Sequence, residues 1–168
     1  MPTQYKGTEE EVRALNAFVN LMRASDSLAR RLSGQLEQSG LTMGQFGVLE
    51  VLYHLGPMCQ KTLGEKLLRS GGNVTLVVDN LSRHGWVRRQ RQADDRRLIQ
   101  IQLTPKGRTL IARVFPKHVE AIAKELSALD PKEQEDLRCI CRKLGKGGEE
   151  LCEERPKREK QNAGNSTK

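Results

Sequence analysis

Five arginines crowd one short segment: Arg88, Arg89, Arg91, Arg96 and Arg97, with Asp94-Asp95 among them. A guanidinium pairs bidentately with phosphate and is drawn to the strong negative potential of a narrow A·T minor groove. Just upstream, Ser70, Gly72, Asn73, Thr75, Leu76 and Asn80 lie outside an apolar stripe of Val74, Val77, Val78 and Leu81. Asparagine can bond adenine bidentately, and threonine or leucine can touch a thymine methyl. No Lys or Arg falls between Ser70 and Ser82. Base reading there would use an amide, hydroxyls and apolar contacts. Asn73 also suits a first-turn capping position. Residues 60–110 hold 11 Lys/Arg against 4 Asp/Glu, a net of +7, which leaves +1 for the other 117 residues of this +8 chain. Charge localised in this way is what a polyanion partner requires. For single residues such as Arg89 and Arg91, a solvated hairpin charge is the competing interpretation.

Other chemistries find little footing. There is no Ser/His/Asp set, no HExxH and no phosphate-cradling loop, since no GK[ST] follows Gly71-Gly72. The residue pattern therefore points away from an enzyme and calls for no cofactor and no metal. The four cysteines, Cys59, Cys139, Cys141 and Cys152, make no CxxC pair and lack metal-ligand spacing with His54, His84 or His118. Met1 to Glu11 is polar and acidic, and no run reaches the roughly 18 apolar residues of a membrane span. A cytoplasmic protein with free thiols is expected. Cys59 stands just before a short helix, where a positive dipole end favours the thiolate. A small inert side chain is the alternative there.

These residues need a scaffold. Thr8 to Glu11 reads as a capping box opening a helix toward Gln38. Its stripe of Val12, Leu15, Val19, Met22, Leu28, Leu32 and Leu36 is longer than one small core needs and calls for a partner subunit. Thr42 and Gln45 form a second box, and Phe46, Leu49, Val51, Leu52 and Leu55 make that helix apolar up to Gly56-Pro57. A short helix from about Gln60 to Leu68, a Ser70-Gly71-Gly72 turn and the Val74–Leu81 helix make a helix-turn-helix. Gly85 suits a helix stop. Trp86-Val87 and Leu98 to Leu103 read as two strands enclosing the arginines. Thr104-Pro105 opens a helix carrying Leu110, Ile111, Val114, Phe115, Val119, Ile122 and Leu126, which Pro116 should kink or bend. Asp130 to Glu133 opens a last helix with Leu137, Ile140 and Leu144. Residues 146–168 are mixed-charge and polar, and expected to lack fixed structure.

The order of these elements, and above all DNLSRHGWVRRQRQADDRRLIQIQLTPKGR at residues 79–108, resembles the MarR family of winged-helix transcription regulators. Asp79, Leu81, Gly85, Val87, the Asp-Asp-Arg-Arg run, Leu103-Thr104 and Gly107 fall where the family pattern places them. The resemblance covers about residues 8–145. The segment PMCQKTLGEKLLRSGGNVTLVVDNL is most similar to the branch that responds to quinones and phenols. The resemblance implies a mainly α fold with a small β-wing: a winged helix-turn-helix DNA-binding lobe at about 42–104, and a helical dimerisation lobe from about 8–38 and 105–145. It implies a homodimer on a palindromic, A·T-rich operator in double-stranded DNA. Arg97 would enter the minor groove, oriented by Asp95, while Arg88, Arg89, Arg91 and Arg96 would sit near phosphates or in solvent. A small aromatic effector would bind where the lobes meet, with Phe18, Met22, Phe46, His54 and Phe115 as candidates by position; plain core is the competing interpretation for each. Alternatives are a redox or electrophile switch at Cys59 and a constitutive architectural DNA-binding protein. Redox-sensing members of the family often carry their cysteine in the first helix, which here has none.

Overall fold

The computed structural model describes residues 4–67, 71–91 and 99–145. In chain order they form α1 (Glu9–Glu37), α2 (Met43–Leu55), β1 (Met58–Cys59), α3 (Gln60–Lys66), α4 (Gly71–Arg83), β2 (Val87–Arg91), β3 (Ile99–Leu103), α5 (Pro105–Leu126) and α6 (Pro131–Gly145). The chain divides into two compact units, residues 1–125 and residues 126–168.

Both capping boxes form as their sequences predict. Thr8 accepts from the Glu11 amide while Glu11 accepts from the Thr8 amide, and Thr42 and Gln45 do the same at α2. Each box satisfies two amides that a helix start otherwise leaves unpaired. Around α2 a core of Leu36, Leu41, Phe46, Leu49, Leu52, Leu63, Val74, Val78, Leu81, Ile101 and Ile111 closes. It is aliphatic apart from Phe46, which suits a chain with only 4% aromatic residues.

The sheet has three strands in the order β1-β3-β2, all antiparallel. β3 pairs Ile101 with Met58 on one side and with Arg89 on the other. Sequence reading gave two strands. The two-residue β1 is too short to show alternation, and only its pairing with β3 creates it. β2 also runs on to Arg91, so Arg88, Arg89 and Arg91 lie on a strand rather than between strands. Four exposed positions after Val87 leave no apolar alternation by which to recognise it.

Two contacts fix the sheet to its flanking helices. Gly85, at φ +70°, closes α4 in a Schellman turn, with Trp86 N–H donating to Leu81 O and Gly85 N–H to Ser82 O. Gly107 lies so close to the Trp86 carbonyl that a Cβ would stand 1.9 Å from its oxygen. Thr104 Oγ1 donates to Gly85 O (2.7 Å) and accepts from Gly107 N (3.0 Å), so α5 starts against the α4 stop.

α5 runs on as a helix through Pro116. The carbonyl that loses its donor belongs to Ala112, an exposed residue within reach of water. The expectation of free thiols does not hold throughout: among the described residues Cys59 and Cys141 are free, but Cys139 is disulfide-bonded. Pairing needs only Cβ atoms brought near each other by the fold, and sequence spacing does not report that. No helix of the described residues is long and apolar enough to cross a membrane. The tail at 146–168 lies outside them.

Candidate nucleic-acid interface and effector pocket

α4 buries Val74, Val78 and Leu81 and packs the half-buried Val77 against the same core. Gly72, Asn73, Thr75 and Leu76 are exposed, and Leu76 keeps 67% of its surface accessible. Such exposure is large for a leucine on a helix that buries its other apolar residues. Thr75 Oγ1 accepts from Gln60 Nε2 at 2.5 Å, which ties the outer face of α4 to the start of α3.

Asn80 differs from its neighbours. It is half-buried, and its Oδ1 accepts from Gln45 Nε2 at 2.5 Å. Gln45 thus caps α2 with its oxygen and holds α4 with its nitrogen. The capping role was legible in the sequence; the bond to Asn80, 35 residues away, was not. His84 Nδ1 meets the Asn80 carbonyl at 2.8 Å, and the His84 ring stacks on Trp86.

On β2, Arg88 is exposed. Arg89 is engaged: its Nη2 lies 2.6 Å from Asp79 Oδ1, an ion pair that joins the wing strand to α4. Both side chains are partly solvated, so the pair contributes ~0.2–1 kcal/mol to stability. Ser70, Asp95, Arg96 and Arg97 lie outside the described residues.

Cys59 is half-buried where β1 meets α3, with Sγ 3.2 Å from Thr62 Oγ1. That hydrogen bond, followed by one from the Thr62 amide, holds its pKa below the usual thiol value. Among the described residues no group of His, Cys, Asp and Glu could hold a metal ion.

A pocket of about 240 Å³ opens between α2 and α5. Met43, Phe46, Leu67 and Ile122 give it apolar walls, and Gly44 and Gly47 keep the α2 side low. Its polar groups are Glu50 and His118. His118 is buried, its Nδ1 3.2 Å from Gln35 Oε1 on α1 and its ring tilted against Phe46 at 4.3 Å. Burial pushes its pKa down, opposed by the Glu50 carboxylate.

Of the five aromatic, histidine and methionine positions expected at the pocket, Phe46 lines it. His54 and Phe115 pack on each other edge-to-face at 4.7 Å. Phe18 and Met22 lie exposed on α1. Sequence reading did not single out Glu50 and His118. Glu50 sits on the strongly apolar α2 and His118 on the amphipathic α5, and nothing local marks either as facing a cavity.

The MarR family pattern matches residues 41–99, the stretch from the start of α2 to the start of β3. Over 138 residues the chain is 36% identical to the HTH-type transcriptional regulator YkoM of Bacillus subtilis strain 168, covering 82% of this chain and 90% of that protein. The chain belongs to the MarR family. A second Bacillus subtilis MarR-like regulator, MhqR, is 32% identical over 133 residues, covering 79% of this chain and 92% of its own. Sco3205, a MarR family regulator from Streptomyces coelicolor solved in complex with DNA, superposes with a TM-score of 0.75 at 24% identity, over 86% of this chain and 91% of that one. The protein is thus a MarR-family DNA-binding transcription regulator with a winged-helix fold.

Proposed function

We propose that this MarR-family protein is a homodimeric repressor. It holds a palindromic, A·T-rich operator and leaves it when a small aromatic effector fills the pocket between α2 and α5. The pocket carries this reading: a single-ring-sized apolar cleft, with two polar groups, lies under the helix that supports α4. A ligand there shifts DNA affinity only by its differential affinity for the two dimer geometries.

In this reading α1, α5 and α6 make the dimerisation lobe, and residues from α2 to β3 bind DNA. Gly72, Asn73, Thr75 and Leu76, with Ser70 before them, face the major groove. Asn80 positions α4 through Gln45. Arg88 and Arg96 sit near phosphates, and Arg97, oriented by Asp95, enters the minor groove. Exposed apolar side chains support a partner subunit: Phe18, Leu21 and Met22 on α1, and Leu137, Ile140 and Leu144 on α6.

Sequencing DNA fragments selected by the purified protein tests the operator. Inverted repeats with half-site centres about 10 bp apart are expected; G·C-rich or non-palindromic selections would overturn it. Arg97→Ala should weaken operator binding by ~1–3 kcal/mol, as for a specific groove contact, and Asp95→Ala by less. Wild-type affinity in Arg97→Ala would remove the wing assignment.

A second reading rests on Cys59. Its lowered pKa and its place at the start of α3 suit an electrophile switch. Cys59→Ser separates the routes: retained release by phenols and quinones supports the pocket, and loss of the quinone response alone supports the thiol.

A further inference from the structure

The wing sheet is fastened to α4 from both of its edges. β3 is the central strand, and at Ile101 it pairs with Met58 of β1 on one side and with Arg89 of β2 on the other. On the β2 edge, Arg89 makes its ion pair with Asp79 of α4. On the β1 edge, α3 begins at Gln60 directly after β1, and the Gln60 carboxamide bonds Thr75 Oγ1 of α4 at 2.5 Å. A hydroxyl both donates and accepts, so this bond holds for either orientation of the amide. Thr75 and Asp79 are one helical turn apart and share one flank of α4. Asn80, held by Gln45 from α2, lies on the other flank, and the exposed Leu76 lies between them.

We propose that Gln60 is a positioning residue for DNA reading: by holding Thr75 it sets α4 in register with the wing sheet, and so fixes the separation between the bases that α4 reads and the A·T tract that the wing reads. Two reading elements on one rigid body accept one spacing of their targets. An element released at one edge samples several orientations and accepts more than one spacing, at a cost in affinity for each. Thr75 is ordered as well. A threonine in a helix divides its χ1 between two rotamers, and the bond from α3 selects one. This inference rests on the reading in which α4 enters the major groove and the wing enters the minor groove.

The experiment is fragment selection and operator titration with the full chain, comparing wild type with Gln60→Leu and Thr75→Val. Each variant removes the bond from one side at nearly constant side-chain size. Thermal melting checks that both fold, and either one suffices if the other does not. Wild type should select one separation between the half-site core and the A·T tract. Both variants should accept separations about one base pair shorter or longer, and should bind the wild-type site about three- to tenfold more weakly, the effect of a single hydrogen bond. The double variant should be no weaker than the worse single one, because both act on the same bond. A separation that stays fixed in Gln60→Leu would overturn the proposal even if affinity falls, since Gln60 would then be an ordinary DNA contact. Penalties that add in the double variant would overturn it too, as would a wild type that selects no fixed separation. Asn73→Ala and Leu76→Ala check the underlying reading separately: selections unchanged by both would remove α4 from the major groove. Altered selections there, with the separation still fixed in Gln60→Leu, would overturn the positioning role alone.

Discussion

Cys59 and His118 show how one or two neighbours set a side chain's chemistry. Cys59 gains thiolate character first from the Thr62 hydroxyl. Thr62→Val should therefore raise the thiol pKa and slow alkylation by iodoacetamide near neutral pH; an unchanged rate would show that the hydroxyl does not tune the sulfur. His118 resists protonation because it is buried. The unfolded chain takes up this proton near the ordinary value of 6.5 while the folded chain does so only lower. Its folded pKa is depressed, and the proton binds the unfolded state preferentially. Stability is thus undiminished above about 6.5 and declines as pH falls through that value toward the folded pKa. Denaturant unfolding at about pH 7.5 and about pH 5.5 should show a drop that His118→Gln reduces. An identical drop in the variant would place its origin elsewhere.

Among the elements, the junction of α4, β2 and α5 is where substitutions should separate stability from DNA binding. Gly107 faces a backbone carbonyl that cannot move without breaking the Thr104 N–H bond to Trp86 O. Gly107→Ala should destabilise the fold at the upper end of the ~1–3 kcal/mol that overpacking costs, read as a lowered Tm. Arg89 behaves differently. Its partner Asp79 is on α4 and the pair is partly solvated, so Arg89→Gln should cost under ~1 kcal/mol of stability. It should nonetheless weaken operator binding, because the wing strand loses its tether to α4. Asp79→Asn should do the same without removing a positive charge. If Asp79→Asn binds operator normally while Arg89→Gln does not, Arg89 acts on phosphate and not through the ion pair.

For the whole molecule, the question is what covers the apolar side chains left on the surface. α6 buries no residue and keeps Ile140 and Leu144 about three-fifths exposed. On the proposed homodimer, Ile140→Lys should leave the chain folded, yet convert the dimer to monomers by sedimentation and lower operator affinity sharply. A variant that stays dimeric would remove α6 from the interface.

Local signals carried much of this architecture. Capping boxes at Thr8 and Thr42, the stop at Gly85, the Thr104-Pro105 start and the 3.6-residue spacing of Val74, Val78 and Leu81 depend on contacts within a few residues, and all were legible in the sequence. So was the concentration of positive charge, because formal charge needs no fold. Helix boundaries came within a few residues for the same reason. Tertiary structure alone decided the rest. β1 exists only because β3 passes beside Met58 and Cys59. Arg89 is an ion-pair partner only because α4 and β2 meet. Gln45 holds Asn80, and Glu50 and His118 face one cavity, through packing of helices far apart in sequence. A hydrogen bond or a shared cavity between distant residues depends on separations that only the closed core sets, whereas composition and periodicity report only which face of each element turns inward.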